Sequence, residues 1–305
     1  MELNDIQKMI FEASQERDGD FCRIFHGRGG LWEDWKFLTI DSIDNILSVA
    51  IFSEIEPALE VEILEMLREI AASSRYKNIV IQRRYVKDAP AEVLCGEIGK
   101  DITACENGMK FKLNLLNNQN SGYFGDMREG RAFVRANSHA KNVLNLFSYT
   151  CGFSLAAKLG GAANVVNVDM SKGALSIGKT NHALSGIDPR GISFLPYNIL
   201  KSFSGLRKKG PYDLIIIDPP SFQRGSFAAT KDYVKIIQKL SSLACEDATV
   251  LACLNAPELD ENFLLDLFGE HAPEFKFVER LKNVPEYASA DESRSLKNFV
   301  FERSK

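Results

Sequence analysis

Long hydrophobic runs are missing from this sequence. Its longest apolar stretches, such as residues 214–217, are far shorter than the roughly 20 residues of a membrane-spanning helix. Residues 1–5 have neither the basic start nor the apolar block of a secretory signal peptide. These absences argue against membrane and secreted proteins, and we expect a cytoplasmic protein.

Clustered cysteines and histidines are missing as well. The six cysteines form no CxxC pair, and no histidine lies at ligand spacing from them. Reduced thiols in a cytosolic protein are the simplest interpretation, and we expect no metal site. Internal repeats, low-complexity tracts and proline-rich linkers are also absent.

What is present is the composition of a globular protein. The 305 residues are 45% hydrophobic and 26% charged, and 37 basic residues are balanced by 41 acidic ones. At about 150 residues per domain, this length favours two domains. The net charge of −4 argues against a surface that binds polyanions everywhere, but it allows a local basic patch.

Residues 1–120 predict a small α+β domain. Helices are expected over residues 5–16 and 57–72, the second of them very acidic and with a proline near its first turn. Strand-like runs cover residues 21–25, 37–40, 46–52, 79–82, 93–98 and 110–115. Polar or glycine-rich turns such as Gly27-Arg28-Gly29-Gly30 separate them.

Residues 121–305 alternate between strands and helices. Strands are predicted at 143–147, 165–168, 192–195, 214–217, 249–254, 275–281 and 298–301, and helices at 152–159, 171–184, 200–206, 231–243 and 262–268. This order predicts an α/β fold with a parallel or mostly parallel doubly wound sheet. Ligands bind such sheets outside the carboxyl ends of the strands, where the chemical signals of this sequence also fall.

Two strand ends carry signals for a nucleoside-containing ligand. The turn at residues 147–152 leads into a helix whose free N–H groups and positive dipole end suit an anionic group. Without a GxGxxG motif, an ordinary turn is the better explanation of that segment taken alone. Asp169 ends the next strand, where a carboxylate can accept hydrogen bonds from both ribose hydroxyls. The alternative role of capping the next helix is already filled by Ser171.

The strongest signal is Asp218-Pro219-Pro220-Ser221-Phe222, which follows the strand at 214–217. Two consecutive prolines can neither continue a strand nor begin an ordinary helical turn, and they therefore fix a rigid exit. The carbonyl groups of Asp218 and Pro219 can then accept from an amino group on a planar base, and Phe222 can stack on its ring. A purely structural turn is the less favoured alternative.

Together these segments resemble a known family. Residues 145–153 and 218–222 are similar to the S-adenosylmethionine-dependent ribosomal RNA large-subunit methyltransferases, a group that includes cytosine carbon-5 and guanine nitrogen-7 enzymes. Residues 106–111 and 121–128 are similar to the β-rich segment that leads into their catalytic domain. The resemblance covers the chain from about residue 21. It implies a Rossmann-like domain at 121–305 that binds S-adenosylmethionine, and a domain at 1–120 that helps to grip RNA.

The resemblance also implies roles for single residues. The methionyl part of the cofactor would contact Phe147, Ser148, Tyr149, Thr150 and Gly152. The ribose would contact Asp169, Met170 and Ser171, and the adenine would contact Asn198. Tyr123 and Arg128 would close over the cofactor. The acceptor base would be positioned by Asp218, Pro219, Pro220 and Phe222, with Asp218 also beside the cofactor. Two departures stand out: Cys151 replaces a usual glycine, and the PUA domain that many members carry is not found.

A basic run could contact RNA. It comprises Arg75, Lys77, Arg83, Arg84 and Lys87, with Tyr76 and Tyr85 interleaved. Such residues could follow phosphates while the tyrosines stack on bases. A solvated edge strand guarded by positive charge explains the run equally well. A second basic group comprises Lys201, Arg207, Lys208 and Lys209.

Other functions are weighed against this one. A nicotinamide oxidoreductase would share the fold, but the missing GxGxxG and the double-proline exit count against it. A methyltransferase for a small molecule or a protein stays open, as does a non-catalytic RNA-binding module. The sequence leaves the oligomeric state open, a homodimer included.

The target atom is predicted from a missing thiol. Methylation of cytosine carbon 5 requires a cysteine nucleophile. In the similar cytosine enzymes this cysteine lies just past the strand that follows the double proline, where this sequence has Asn255. Cys253 lies two residues earlier, about 6–7 Å away along the strand. We therefore predict direct, non-covalent methylation of a base nitrogen, on a purine.

Overall fold

The computed structural model describes residues 1–16, 20–117, 120–220, 222–223 and 227–304, without the side chains of Glu16, Phe222 and Gln223. The chain forms two compact units. The first comprises Met1–Gly125 and Val284–Asp291, and the second comprises Asp126–Asn283 and Glu292–Lys305. No helix in the described part of the chain is long and apolar enough to cross a membrane.

The first unit is a five-stranded sheet with two helices. Its elements are α1 (Leu3–Glu16), β1 (Cys22–His26), β2 (Leu38–Ile43), β3 (Ile46–Ile51), α2 (Pro57–Ser73), β4 (Asn78–Arg83), β5 (Ala91–Cys95), β6 (Ile102–Glu106) and β7 (Met109–Leu113). The sheet order is β1-β2-β3-β4-β5, and only β3 and β4 pair in parallel. Strands β6 and β7 form an antiparallel hairpin.

Helix α2 shows how the sequence builds this unit. Proline at its first position has the fixed φ that a helix start needs. Ile63, Met66, Leu67 and Ile70 recur at helical spacing and are all buried in the core with the strands. The acidic residues between them lie on the solvent side, which explains a very acidic helix in a packed unit.

The second unit is a doubly wound sheet. Its helices are α3 (Arg128–Ala136), α4 (Gly152–Leu159), α5 (Lys172–Leu184), α6 (Phe203–Arg207), α7 (Ala229–Ile237) and α8 (Asn262–His271). Its strands are β8 (Asn142–Leu146), β9 (Asn164–Val168), β10 (Ile192–Leu195), β11 (Tyr212–Ile217), β12 (Phe222–Gln223), β13 (Phe227–Ala228), β14 (Ala244–Leu254), β15 (Phe275–Arg280) and β16 (Lys297–Arg303). The predicted α/β, Rossmann-like fold class is confirmed.

The order of the large sheet is β10-β9-β8-β11-β14-β16-β15. Its first five strands are parallel, whereas β16 inserts antiparallel between β14 and β15. Strands β8 and β11 are neighbours in space although β9 and β10 separate them in sequence. The chain order reverses at this pair, and such a reversal opens a crevice at the carboxyl ends of the strands.

Some elements differ from the sequence prediction. Strand β6 was not predicted, although Asn107 and Gly108 both have positive φ and make the tight turn that pairs it with β7. Helix α3 was also missed, because it contains Gly130 and few apolar residues; a Cβ at Gly130 would lie 3.2 Å from the Phe153 ring. The helix predicted to reach residue 243 ends at Ile237.

Candidate functional site at the carboxyl edge of the sheet

Five strand ends lie side by side at one edge of the second unit. Strands β10, β9, β8, β11 and β14 are parallel neighbours in that order, so their carboxyl ends meet at the same edge. The residues that follow these ends include Asn198, Asp169, Phe147, Asp218 and Asn255, respectively. Sequence-predicted site residues from four separate segments are thus brought to one edge.

In the turn after β8, every second residue has a positive φ. Phe147, Tyr149 and Cys151 have φ values of 57°, 46° and 66°, although none is glycine. This pattern bends the chain sharply, and the N–H groups of Ser148, Tyr149 and Cys151 all donate to acceptors within the protein. A left-handed residue other than glycine costs about 1–2 kcal/mol, so neighbouring contacts must hold this turn.

Contacts from two elements hold the turn. The Tyr149 N–H donates to Oδ2 of Asp169 over 2.8 Å, and the Ser148 N–H donates to the Val168 carbonyl over 3.1 Å. From helix α5, the Asn181 side-chain amide donates to the Thr150 carbonyl over 3.0 Å. The end of strand β9 and helix α5 therefore fix the shape of the turn after β8.

Cys151 of the first turn is accommodated by a glycine from helix α5. Its thiol is fully buried, and burial raises the thiol pKa far above its ordinary value. A Cβ at Gly178 of α5 would lie only 2.5 Å from the Cys151 sulfur. The cysteine thus occupies space that Gly178 leaves empty.

Asp169 connects the first two turns. Its Oδ2 accepts from Tyr149, and its Oδ1 accepts from the Ser171 N–H over 2.8 Å. Each carboxylate oxygen has a second lone pair that can accept from a ligand hydroxyl. Ser171 caps α5, since its hydroxyl accepts from the Ala174 N–H over 3.1 Å, and Met170 is 48% exposed.

Asn198 presents an unused acceptor at the end of β10. Its Oδ1 atom is buried and makes no hydrogen bond within the described residues. Its backbone carbonyl accepts from the Ser202 hydroxyl over 2.7 Å, which fixes the segment that carries it. A buried acceptor without a donor is costly unless a ligand supplies one.

Asp218 lies in an acidic and largely buried environment. The pKa of its carboxyl group is raised to about 7, mainly by burial. The negative charge of Asp126 also raises this pKa, and its effect is larger than the opposite effect of the Arg131 guanidinium. Asp218 is therefore poised to gain or lose a proton near neutral pH. Pro219 is buried and Pro220 is exposed, whereas Ser221 and the Phe222 side chain lie outside the described residues.

Tyr233 holds the strand exit, and the sequence reasoning missed it. This residue of α7 is fully buried, and its hydroxyl lies 3.1 Å from the Cys253 carbonyl and 3.3 Å from the Ile217 carbonyl. One phenol thus connects the ends of β11 and β14 directly before Asp218. A tyrosine on the buried face of an amphipathic helix is a weak signal, because its ring alone suits the core.

A series of hydrogen-bonded polar side chains is buried between the strands and helices next to the turn. Nδ2 of Asn145 donates to Asn167 over 2.9 Å, and Nδ2 of Asn167 donates to the Ser154 hydroxyl over 3.0 Å. That hydroxyl lies 2.9 Å from Nε2 of His182, whose Nδ1 lies 2.7 Å from the Gly178 carbonyl. Asparagines in the middle of buried strands were the sequence signal that could have found this chain.

Tyr123 belongs to the first unit, and Arg128 belongs to the second. The Tyr123 hydroxyl donates to the Glu106 carboxylate in the first unit, and its ring lies 4.6 Å from that of Phe21. Arg128 begins α3 in the second unit, with Nε 4.0 Å from the Glu129 carboxylate. Their closure over the cofactor stays a prediction.

Comparison with known proteins identifies the family. A family model described as S-adenosylmethionine-dependent methyltransferase matches residues 22–302. The chain belongs to this family. A crystal structure of a methyltransferase complexed with SAH matches with a TM-score of 0.87 and 23% identity, over 99% of this chain and 82% of the other.

Two curated relatives of this methyltransferase carry the name ribosomal RNA large subunit methyltransferase I. The Aeromonas salmonicida protein is 33% identical over 190 residues, which are 61% of this chain and 48% of the relative. The Shigella boydii protein is 27% identical over 313 residues, which are 98% of this chain and 78% of the relative. The first of these matches thus spans about half of the relative's length.

The residues at the carboxyl edge fit S-adenosylmethionine. The unused Oδ1 acceptor of Asn198 suits an adenine amino group, and the Asp169 oxygens suit ribose hydroxyls. Helix α4 begins at Gly152, directly after the turn, and its positive dipole end suits the carboxylate of the methionyl part. In the described part of the chain, no group of three or more histidine, cysteine, aspartate or glutamate side chains is placed to bind a metal.

Proposed function

We propose that this methyltransferase transfers a methyl group to a base of large-subunit ribosomal RNA, in the cytoplasm. The observation that carries the proposal is the similarity over 98% of the chain to a relative named ribosomal RNA large subunit methyltransferase I. The double-proline exit with Asp218 supports a planar, nitrogen-bearing acceptor such as a nucleobase. S-Adenosylmethionine supplies an electrophilic methyl group when it is bound.

The cofactor would be held by groups from three strand ends. Asn198 would accept from the adenine amino group, Asp169 would accept from the ribose hydroxyls, and the turn at Phe147–Gly152 would contact the methionyl part. Met170 and Ser171 would line the ribose side. Because Asp169 and Asn181 already fix the turn, little ordering remains to be done on binding.

Asp218 would orient the acceptor base and receive its proton. The carbonyl groups of Asp218 and Pro219 would accept from an amino group of the base, with Pro220 and Phe222 limiting its position. An ionised Asp218 carboxylate would then take the proton that a base nitrogen loses on methylation. Its pKa of about 7 leaves a substantial ionised fraction at neutral pH.

The cysteines at this edge support a transfer without a covalent enzyme intermediate. Cys151 and Cys253 are both fully buried, and burial raises the pKa of each thiol well above its ordinary value. A thiolate nucleophile is therefore disfavoured at both positions. Asn255, which is exposed just past β14, carries no thiol. We therefore propose a purine nitrogen as the target.

The substrate is tested by methyl transfer from labelled S-adenosylmethionine. RNA extracted from cells that lack the gene should accept the label, whereas RNA from wild-type cells should accept little because the site is already modified. An Asp218→Ala variant that still binds the cofactor should lose turnover. Equal labelling of both RNA preparations, or none of either, would contradict the proposal.

The target atom is tested with RNA that contains 5-fluorocytosine. This analogue traps enzymes that attack cytosine through a cysteine, and we expect no trapped adduct with this protein. A Cys253→Ala variant serves as the matched control. An adduct that forms with the wild type and disappears in this variant would overturn the non-covalent mechanism.

A further inference from the structure

Two charges of the basic run at residues 75–87 are used within the first unit. Arg83 pairs with Glu60 over 2.6 Å and with Glu92 over 2.8 Å. Nζ of Lys77 donates to the Ala71 carbonyl over 2.9 Å, near the end of helix α2. These two charges therefore support the fold rather than a ligand.

Arg84 belongs instead to a cluster with a distant arginine. The Arg28 guanidinium lies 4.2 Å from the centre of the Phe52 ring, and the Arg84 guanidinium lies 5.5 Å from the same centre. Arg84 also donates to the Gln82 side-chain oxygen over 3.2 Å. Two cations thus contact one aromatic ring, a geometry that holds each of them in place.

The glycine-rich turn Gly27–Gly29 presents Arg28. A Cβ at Gly27 would lie 1.8 Å from the Trp35 carbonyl oxygen, and one at Gly29 would lie 2.0 Å from the Ala288 carbonyl oxygen. Gly30 completes the turn with a φ of 76°. Only glycine fits these positions, so the turn packs against backbone on two sides and leaves Arg28 as its exposed side chain.

The electrostatics of this cluster call for an anion. Arg23 is neutralised by Asp41, whereas Arg28 forms no ion pair within the described ranges. The Arg28 side chain is exposed overall, but its guanidinium lies against the Phe52 ring; this partial burial and then the charge of Arg23 lower its pKa. Burial and then the charge of Arg28 lower the pKa of Arg84. The cations repel one another, and a bound anion would relieve that repulsion.

We propose that Arg28, Phe52 and Arg84 form a binding site for a backbone phosphate of the RNA substrate, an inference that rests on the proposed function. Arginine suits this role because its planar fork of N–H groups matches phosphate oxygens. The Phe52 ring fixes both guanidinium groups before RNA arrives, which lowers the entropy cost of binding. The site reads the backbone and carries no base specificity.

The test uses protein-free large-subunit ribosomal RNA from cells that lack the gene. Arg28→Ala and Arg84→Ala should each raise the KM for this RNA by roughly 10-fold, with kcat and S-adenosylmethionine affinity unchanged. The slope of log affinity against log salt should become shallower by about 0.7–0.9 for each phosphate that a variant no longer binds. Lys8→Ala, which removes an exposed cation from α1, is the control and should change neither value.

Two further variants test what the charge of Arg28 and the ring of Phe52 each contribute. Arg28→Lys keeps the charge and should retain part of the affinity, whereas Phe52→Leu should weaken binding by releasing both arginines. If the wild type methylates the RNA but Arg28→Ala and Arg84→Ala behave like Lys8→Ala, the phosphate site is refuted and the proposed function stands. If the wild type methylates no RNA, the proposed function fails and the phosphate site fails with it.

Discussion

The contact between Cys151 and Gly178 predicts a measurable energetic coupling. A methyl group added at Gly178 would lie 2.5 Å from the Cys151 sulfur and 3.0 Å from its Cβ, both shorter than a normal contact. Cys151→Gly removes both atoms. The nearest remaining atom is then the Thr150 carbonyl oxygen at 3.3 Å, which can be accommodated by a small shift.

The sign of each change follows from this geometry. In the wild-type background, Gly178→Ala gains about 1 kcal/mol of helix propensity but loses about 1–3 kcal/mol to overpacking. In the Cys151→Gly background only the gain remains, so Gly178→Ala should stabilise by up to about 1 kcal/mol. The coupling between the two sites should therefore be about 1–3 kcal/mol.

Urea denaturation of the wild type, both single variants and the double variant gives the four free energies of unfolding. The difference between the two effects of Gly178→Ala is the coupling energy. Equal m-values across the four proteins would indicate that the denatured state is unchanged. A coupling below about 0.5 kcal/mol would show that the turn does not depend on the space left by Gly178.

Three more changes test the site and the first unit. Asp169→Ala should weaken S-adenosylmethionine binding by about 10- to 100-fold in titration calorimetry, because it removes charge-assisted hydrogen bonds; unchanged affinity would contradict the ribose assignment. Asp218 must be ionised to take a proton, so kcat/KM should rise with pH around a midpoint near 7, and Asp218→Asn should lose about 10²- to 10⁴-fold in kcat/KM together with that dependence. Burial, Arg23 and Arg28 lower the His26 pKa to about 3, so the folded protein keeps His26 neutral. Below about pH 6.5 the unfolded chain binds a proton at His26 that the folded protein does not bind, so the free energy of unfolding should fall by up to about 2 kcal/mol between about pH 7 and pH 5. Measured by urea denaturation, His26→Gln should remove that part of the decrease.

The sequence predicted the second unit well because its strands and helices have clear periods. The predicted helix at 152–159 has the bounds of α4, and Ser171 caps α5 as expected. Asp169 and Asp218 were predicted as site residues because each follows a buried apolar run. Parallel pairing then brings both to one edge, a consequence of topology that the spacing of the strands already implied.

Long-range partners could not be predicted in this way. Charge along the chain predicted that the basic run at residues 75–87 either contacts RNA or guards an edge strand. Folding instead pairs Arg83 with acids from α2 and β5 and places Arg84 and Arg28 against one phenylalanine ring. The cysteine in the first turn was a departure without an explanation until Gly178 was placed against it. These partners come from other elements of the fold, beyond the reach of any local pattern.

The discontinuity of the first unit limits how the protein can be divided. Residues Val284–Asp291 return to this unit, where the Ala290 N–H donates to the Gly29 carbonyl over 2.8 Å and the Tyr287 ring lies 4.6 Å from the Arg23 guanidinium. A gene fragment cut at Gly125 would leave out this segment and expose the groups that it covers. If residues 1–125 and 126–305 were expressed separately, the first unit would therefore lack one of its segments and the second would carry a segment that does not belong to it. A single crossover between relatives would likewise exchange only part of the first unit.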